Sequence, residues 1–155
     1  MKFCETKKIL NQLVADLSVF SVRIHQVHWY MHGGRFLSLH PKMDELMDQI
    51  NDQLDEISER LITLDGSPYS TLEEFFVNSK LKEEKGSWNM TIDKQINYLL
   101  EGYSYLISIY EEGIEIAGKE GDNCTEDIFI GSKADLEKVI WMLKAELGSS
   151  AALDK

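Results

Sequence analysis

The chain has 155 residues, 43% of them hydrophobic and 28% charged, a composition that fits one soluble domain with enough apolar material for a single core. Lys and Arg total 16 against 27 Asp and Glu, a formal net charge of −11, which repels nucleic acid phosphates and anionic lipid and favours cationic ligands. No apolar run approaches the roughly 20 residues needed to cross a bilayer, and the start, MKFCETKKIL, lacks the apolar stretch of a secretory signal, so the expected location is cytoplasmic, without membrane partners. Most of the charge reads as the solvated face of helices, and by itself points only weakly to a metal. Cys4 and Cys124 show no CxxC spacing and are expected to be reduced thiols.

From Lys7 to about His32, the apolar positions Leu10, Leu13, Val14, Leu17, Phe20, Ile24 and Val27 recur at steps of three and four without Pro or Gly, which predicts a long amphipathic helix. Gly33-Gly34 stop it. A cleaner pattern of Met43, Leu46, Met47, Ile50, Leu54, Ile57, Leu61 and Leu64 predicts a second helix over about 39–64, with Pro41 in a first turn that tolerates proline. Asp65-Gly66-Ser67-Pro68 ends it, and Ser70 to Glu74 reads as the capped start of a short helix over about 71–80. Thr91 is the expected cap of a third long helix, about 91–118, built on Ile92, Ile96, Leu99, Leu100, Tyr103, Leu106, Ile107, Tyr110 and Ile114. A fourth, about 125–147, runs through Ile128, Ala134, Leu136, Val139, Ile140 and Leu143. No strand pattern or fixed-period repeat is present. The predicted fold class is therefore all-α, a single domain over 1–155. It is a four-helix bundle with a short extra helix in the long connection between helices 2 and 3, as in ferritin-like folds. A cytokine-like or adaptor bundle fits the same pattern at this point.

All four histidines, His25, His28, His32 and His40, lie within sixteen residues. An ordinary di-iron bundle draws ligands from all four helices and includes two Glu-x-x-His motifs. This sequence contains none, so any metal site must use the second helix and the end of the first. On the second helix, His40 and Asp44 are spaced i, i+4, as are Asp55 and Glu59, and each pair can chelate one ion from adjacent turns. At about 100° per residue, Asp44, Asp55 and Glu59 lie about 40°, 60° and 100° around from His40, within one arc. Along the axis, however, His40 and Asp55 are about 22 Å apart at about 1.5 Å per residue, beyond any coordination shell. The spacing itself offers a solution, because the midpoint of 40 and 59 coincides with that of 44 and 55. Two antiparallel copies related by a twofold near residues 49 and 50 would set His40 opposite Glu59 and Asp44 opposite Asp55, giving two identical mixed sites. For any one of these residues, an ordinary exposed helix charge or a capping histidine is a sufficient reading; the coincidence across the set favours a metal. Nitrogen and oxygen donors without thiolates suit a ferrous ion, with zinc or another divalent metal as competitor.

The stretch His28-Trp29-Tyr30, then Gly33, Phe36, Leu39-His40, Asp44-Glu45-Leu46 and Asp55-Glu56-Ile57-Ser58-Glu59-Arg60-Leu61 resembles the signature of the DNA-protection-during-starvation (Dps) family of mini-ferritins. In that family a histidine pair and three carboxylates form a ferroxidase centre between subunits. Chain length, helix order, the short helix in the central connection and Trp141-Met142 extend the similarity along nearly the whole chain. The resemblance implies a hollow homododecamer built from twofold dimers, which oxidises Fe(II), preferably with hydrogen peroxide, stores Fe(III) mineral inside and protects against oxidative stress. Carried over by position, His28, His40 and Asp44 would be iron ligands from one subunit, and Asp55 and Glu59 those from its twofold partner. Trp29 would be an aromatic near the iron that takes up stray oxidising equivalents, interface packing being the plainer alternative. Asp122, Glu126 and Asp127, at the start of the fourth helix, are candidates for a threefold iron-entry pore, although acids at helix starts are common for dipole reasons alone. His25 and His32 match no ligand position and are expected beside the site or on the surface.

The lysine-rich tail on which DNA binding depends in some members is missing. Only Lys2, Lys7 and Lys8 stand near the start, and one lysine stands in the stretch from Gly148 to Lys155. Protection of DNA is accordingly expected to be chemical, through removal of iron and peroxide, unless divalent cations bridge the acidic shell to phosphate. The competing readings are a DNA-binding nucleoid protein, zinc or manganese handling by the same shell, and a structural bundle that binds no metal.

Overall fold

The computed structural model describes residues 2–153; Met1, Asp154 and the lone tail lysine, Lys155, lie outside the described residues. Five helices form, α1 (Cys4–Tyr30), α2 (Phe36–Thr63), α3 (Leu72–Asn78), α4 (Ile92–Glu120) and α5 (Asn123–Glu146), with no strand among the described residues. None of these helices is long and apolar enough to cross a membrane.

Polar ties at the two ends of the bundle show which way each helix runs. At one end Arg35, between α1 and α2, hydrogen-bonds Asp93 at the start of α4 and, at 3.3 Å, Glu146 at the end of α5. At the other end Glu120, the last residue of α4, accepts from the Glu5 N–H (3.1 Å), the Thr6 N–H (2.9 Å) and the Thr6 hydroxyl (2.7 Å) at the start of α1. There too Arg60, near the end of α2, donates to Asp122, the N-cap of α5, at 2.8 Å. Hence α1 and α5 run one way, and α2 and α4 the other. Parallel α2 and α4 need a connection as long as the bundle, which residues 64–91 supply while carrying α3 against α1.

Two buried polar side chains hold this crossover down. Asp16, fully buried, accepts from the Ser79 hydroxyl (2.9 Å), the Lys80 N–H (2.9 Å), the Tyr105 hydroxyl (2.7 Å) and Gln12 (3.0 Å). Arg23 donates to the carbonyls of Lys82 (2.9 Å) and Tyr98 (3.0 Å) and stacks on the Tyr98 ring. A carboxylate out of water is tolerable because four donors replace its hydration.

The apolar stripes of the four long helices meet in one core whose centre is aromatic. Tyr103 stands edge-on to Phe20 at 4.7 Å, and Tyr110 to Phe129 at 5.9 Å, all four fully buried. Gly102 permits the first contact, since a Cβ there would lie 2.3 Å from the Phe20 ring. The middle of the bundle is thus filled by rings and aliphatic chains, and the metal-ligating candidates lie outside it.

Local signals account for several helix ends, and packing for the others. Thr71 and Glu74 form a reciprocal capping box on α3, Thr91 caps α4 through the Lys94 N–H at 3.3 Å, and Gly121, at φ 75°, closes α4 in the left-handed conformation. By contrast α1 starts at Cys4 rather than about 7. Its N-cap, Phe3, makes no side-chain cap, and Glu120 from the far end of the sequence does so instead. The α2 helix starts at Phe36 rather than about 39, so Pro41 lies beyond the first turn and one backbone hydrogen bond of the helix is missing there. That extra turn places Phe36 directly below His40. The short helix α3 stops at Asn78 because Ser79 turns away to reach Asp16.

Candidate metal centre

Because α1 and α2 are joined by the short Gly33-containing connection and pack antiparallel, the last turn of α1 faces the first turns of α2. There His28 and His40 clasp each other. His28 Nδ1–H donates to the His40 carbonyl at 2.9 Å, and His40 Nδ1–H donates to the His28 carbonyl at 3.0 Å. A carbonyl can only accept, so both hydrogens sit on Nδ1, and in each neutral ring the lone pair is on Nε2. Bonding of one imidazole nitrogen to a backbone carbonyl is the usual way in which a metal-binding histidine is oriented. The two rings stack at 3.7 Å with 14° between planes, and Phe36, one turn before His40, stacks on it at 4.6 Å.

Asp44 lies one turn after His40, with Oδ1 3.6 Å from His28 Nε2. That is too long for a hydrogen bond. It is the spacing of two donors each about 2.1 Å from one ion, which stand about 3 to 4 Å apart. The His28 side chain is 12% exposed and that of Asp44 60% exposed, so the corner opens outward at the carboxylate.

Asp55 and Glu59 project from the same helix, exposed, but Asp55 is about 16 Å further along the axis than Asp44 at about 1.5 Å per residue. One chain therefore brings together His28, His40 and Asp44 and keeps Asp55 and Glu59 apart from them. Among the described residues, no three His, Cys, Asp or Glu side chains of one chain come close enough to hold an ion by themselves.

The remaining candidates separate by burial. Trp29 is 62% exposed beside His28 in sequence, and His25 stacks on it at 5.1 Å with 17° between planes, so His25 partners the indole. His32 lies past the end of α1, its Nδ1–H donating to the Tyr30 carbonyl at 3.2 Å. Asp122, expected as an exposed pore acid, is only 3% exposed. Its oxygens accept from Arg60 (2.8 Å), the Thr125 N–H (3.2 Å) and the Thr125 hydroxyl (2.5 Å), so it is a helix cap and buried ion-pair partner. Glu126 is half-buried and Asp127 exposed. Asp127 lines a cleft of about 370 Å³ between α2 and α5 together with Asp52, Glu56 and Asp135. No disulfide joins Cys4 and Cys124. Sequence reasoning missed the role of Phe36 as a stacking wall, although its i, i+4 spacing to His40 was visible, and it missed Arg60, whose partner is 62 residues away.

The ferritin-like domain family matches residues 7–151. The chain is 52% identical over 149 residues to a DNA protection during starvation protein of Streptococcus suis, covering 96% of this chain and 87% of that one. The crystal structure of Dps from Listeria monocytogenes superposes with a TM-score of 0.92 at 46% identity, covering 94% of this chain and 95% of that one. Dps from Listeria innocua soaked with cobalt superposes with a TM-score of 0.93 at 44% identity, covering 97% of this chain and 99% of that one. Solved forms of the Listeria innocua protein also include variants with two histidines, twelve positions apart, replaced by glycine, the separation of His28 and His40 here. With a ferritin-like domain matched over residues 7–151, and about half of its residues identical to a DNA protection during starvation protein over nearly the whole chain, the chain belongs to the Dps family of ferritin-like proteins.

Proposed function

We propose that this chain is the subunit of a hollow cytoplasmic homododecamer, assembled from twofold dimers, that oxidises Fe(II) with hydrogen peroxide and stores the Fe(III) product as mineral. The observation that carries the reading is the reciprocal clasp of His28 and His40. It leaves the Nε2 atoms of two oriented imidazoles free of those carbonyl bonds, with the His28 Nε2 beside Asp44, as one half of a site. Asp55 and Glu59 of the partner subunit complete it. As sequestration this protects against oxidative stress.

The overall reaction takes one electron from each of two ferrous ions: 2 Fe(II) + H2O2 + 2 H+ yield 2 Fe(III) and 2 H2O. Because peroxide accepts both electrons, no hydroxyl radical is released. The carboxylates of Asp44, Asp55 and Glu59 balance the growing positive charge, while the neutral imidazoles bind without adding charge. A donor set this small leaves positions on the metal open to the oxidant. Zinc occupies such a donor set without redox chemistry and so acts as an inhibitor. Trp29, exposed and next to His28 in sequence, would take up a stray oxidising equivalent or pack in the dimer. Glu126 and Asp127 remain as pore candidates that draw cations inward by charge.

Direct DNA binding is not favoured by the charges. Of the lysines near the start, Lys8 is paired with Glu5 at 2.7 Å, and the net charge is −11. A salt-sensitive gel shift at neutral pH would overturn this part of the reading.

The experiment is anaerobic Fe(II) oxidation on addition of hydrogen peroxide, comparing wild type with the Asp55→Ala, Glu59→Ala double variant. Removal of supporting groups around a metal commonly costs about 10- to 100-fold, so loss of two ligands is expected to exceed that. Equal rates in both proteins would refute the shared site.

A further inference from the structure

The connection between α1 and α2, residues 31–35, sets how His28 and His40 meet, and the helix that follows it has little local reason to begin where it does. Gly33 and Gly34 precede it, and glycine leaves the chain free to turn in other ways. The N-cap residue, Arg35, makes no side-chain cap, and the first turn holds no acid to meet the helix dipole. Pro41 then removes one of the backbone hydrogen bonds that join the first turn to the rest of the helix. Yet α2 starts at Phe36, and this first turn carries the ring that stacks on His40 at 4.6 Å.

Tertiary contacts supply what the local sequence lacks. The two amino groups of the Arg35 guanidinium hold carboxylates from two different helices, Glu146 at the end of α5 through Nη1 at 3.3 Å and Asp93 at the start of α4 through Nη2. The backbone carbonyl of the same residue accepts from the Leu39 N–H at 3.0 Å and the Ser38 hydroxyl at 3.1 Å, both in the first turn of α2. Gly33, at φ 123°, brings the connection against α4 as well, since a Cβ there would lie 3.7 Å from the Ile92 side chain. Single exposed ion pairs are weak. A planar fork shared between two helices, however, fixes the residue that carries it in direction as well as in distance.

We infer that Arg35 is a positioning residue of the metal corner. Tied to α4 and α5, it keeps the first turn of α2 helical, and that turn keeps Phe36 on the His40 ring. The inference rests on the reading of His28, His40 and Asp44 as ligands and adds a residue that acts on the site through Phe36. Charge and position pull in opposite senses here. Arg35 stands five residues before His40, about 7.5 Å along the axis. Loss of a nearby positive charge by itself would strengthen the binding of a cation, whereas loss of a positioning residue weakens it.

The test compares Arg35→Gln, Phe36→Ala and the two together, each as an intact assembly by size-exclusion chromatography, with two readouts. The first is hydrogen exchange of the segment holding the Leu39 and His40 amides in metal-free protein, followed by mass spectrometry. Loss of two exposed ion pairs is expected to speed it about three- to tenfold in Arg35→Gln. The second is anaerobic Fe(II) titration. Affinity in Arg35→Gln is expected to fall about threefold, less than the loss expected for Phe36→Ala, about tenfold. The double variant is expected to match Phe36→Ala, because the effect of Arg35 passes through that ring. Unchanged exchange, an affinity equal to or above wild type, or losses that add in the double variant would each overturn the inference. Fe(II) binding that a His40→Ala protein retains in full, with exchange still faster in Arg35→Gln, discards the metal reading and keeps Arg35 as the hold on the first turn of α2.

Discussion

The two ends of the outward face of α2 carry matching sets of residues in opposite states of order. At the first end His40 is fixed by the clasp with His28 and the ring of Phe36, and its tautomer is set by a backbone carbonyl. At the other end Asp55 and Glu59 are exposed, and among the described residues their carboxylates make no hydrogen bond or ion pair. Imidazole must be oriented and held in one tautomer before it can ligate. A carboxylate has two equivalent oxygens and needs only to arrive. In the proposed site, the half with the stricter geometric demand is built within the chain, and the tolerant half would come with assembly.

This contrast is broken most completely by removing each half in turn. His28→Ala, His40→Ala and Asp55→Ala, Glu59→Ala should both lose the fast phase of Fe(II) oxidation by peroxide, in stopped-flow traces by more than about 100-fold. Their stabilities should differ. The histidine variant gives up two part-buried hydrogen bonds and two ring stacks, about 2 to 4 kcal/mol. The carboxylate variant should stay within about 0.5 kcal/mol of wild type, as exposed substitutions do, both read from denaturant unfolding.

If the halves belong to different subunits, co-refolding the two inactive variants in equal amounts should restore activity. Random pairing makes half the dimers mixed, and each mixed dimer holds one intact and one doubly defective site, so about a quarter of wild-type activity should return. No recovery in an intact mixed assembly would refute the pairing of these two halves across subunits. Smaller in effect, Phe36→Ala removes the wall behind His40 while leaving every donor in place. Fe(II) affinity, followed by titration under anaerobic conditions, should fall about tenfold, at the lower end of losses from supporting residues.

The smallest effect concerns the far end of the bundle, away from the site. Burial works to raise the Glu120 carboxyl, but hydrogen bonds from Thr6 and Glu5 outweigh it and hold its pKa below the usual carboxylate range. A depressed folded-state pKa adds stability that is present above the unfolded value, near 4.5, and lost as pH falls through the folded one. Glu120→Gln should therefore lower stability at neutral pH by about 1 kcal/mol or less, as for a lost helix cap. It should also flatten the decline below about pH 4.5, with iron oxidation unchanged. An unaltered acid limb would show that Glu120 does not cap α1 in solution.

Much of this was legible along the chain. Apolar residues at steps of three and four mark the long helices, Thr71 with Glu74 and Thr91 mark two starts, and the i, i+4 pairs on α2 mark the candidate ligands. Each is a local property, readable because helical geometry alone relates residues a few positions apart. What tertiary structure decided are the relations between residues distant in sequence. The start of α1 is set by Glu120, Asp122 is buried against Arg60, Asp16 gathers Ser79, Lys80 and Tyr105, and the histidine clasp exists only because α1 packs on α2. Side-chain periodicity records which face of a helix is buried, whereas a hydrogen-bond partner depends on which other helix comes to lie against it, and that is settled only when the bundle closes.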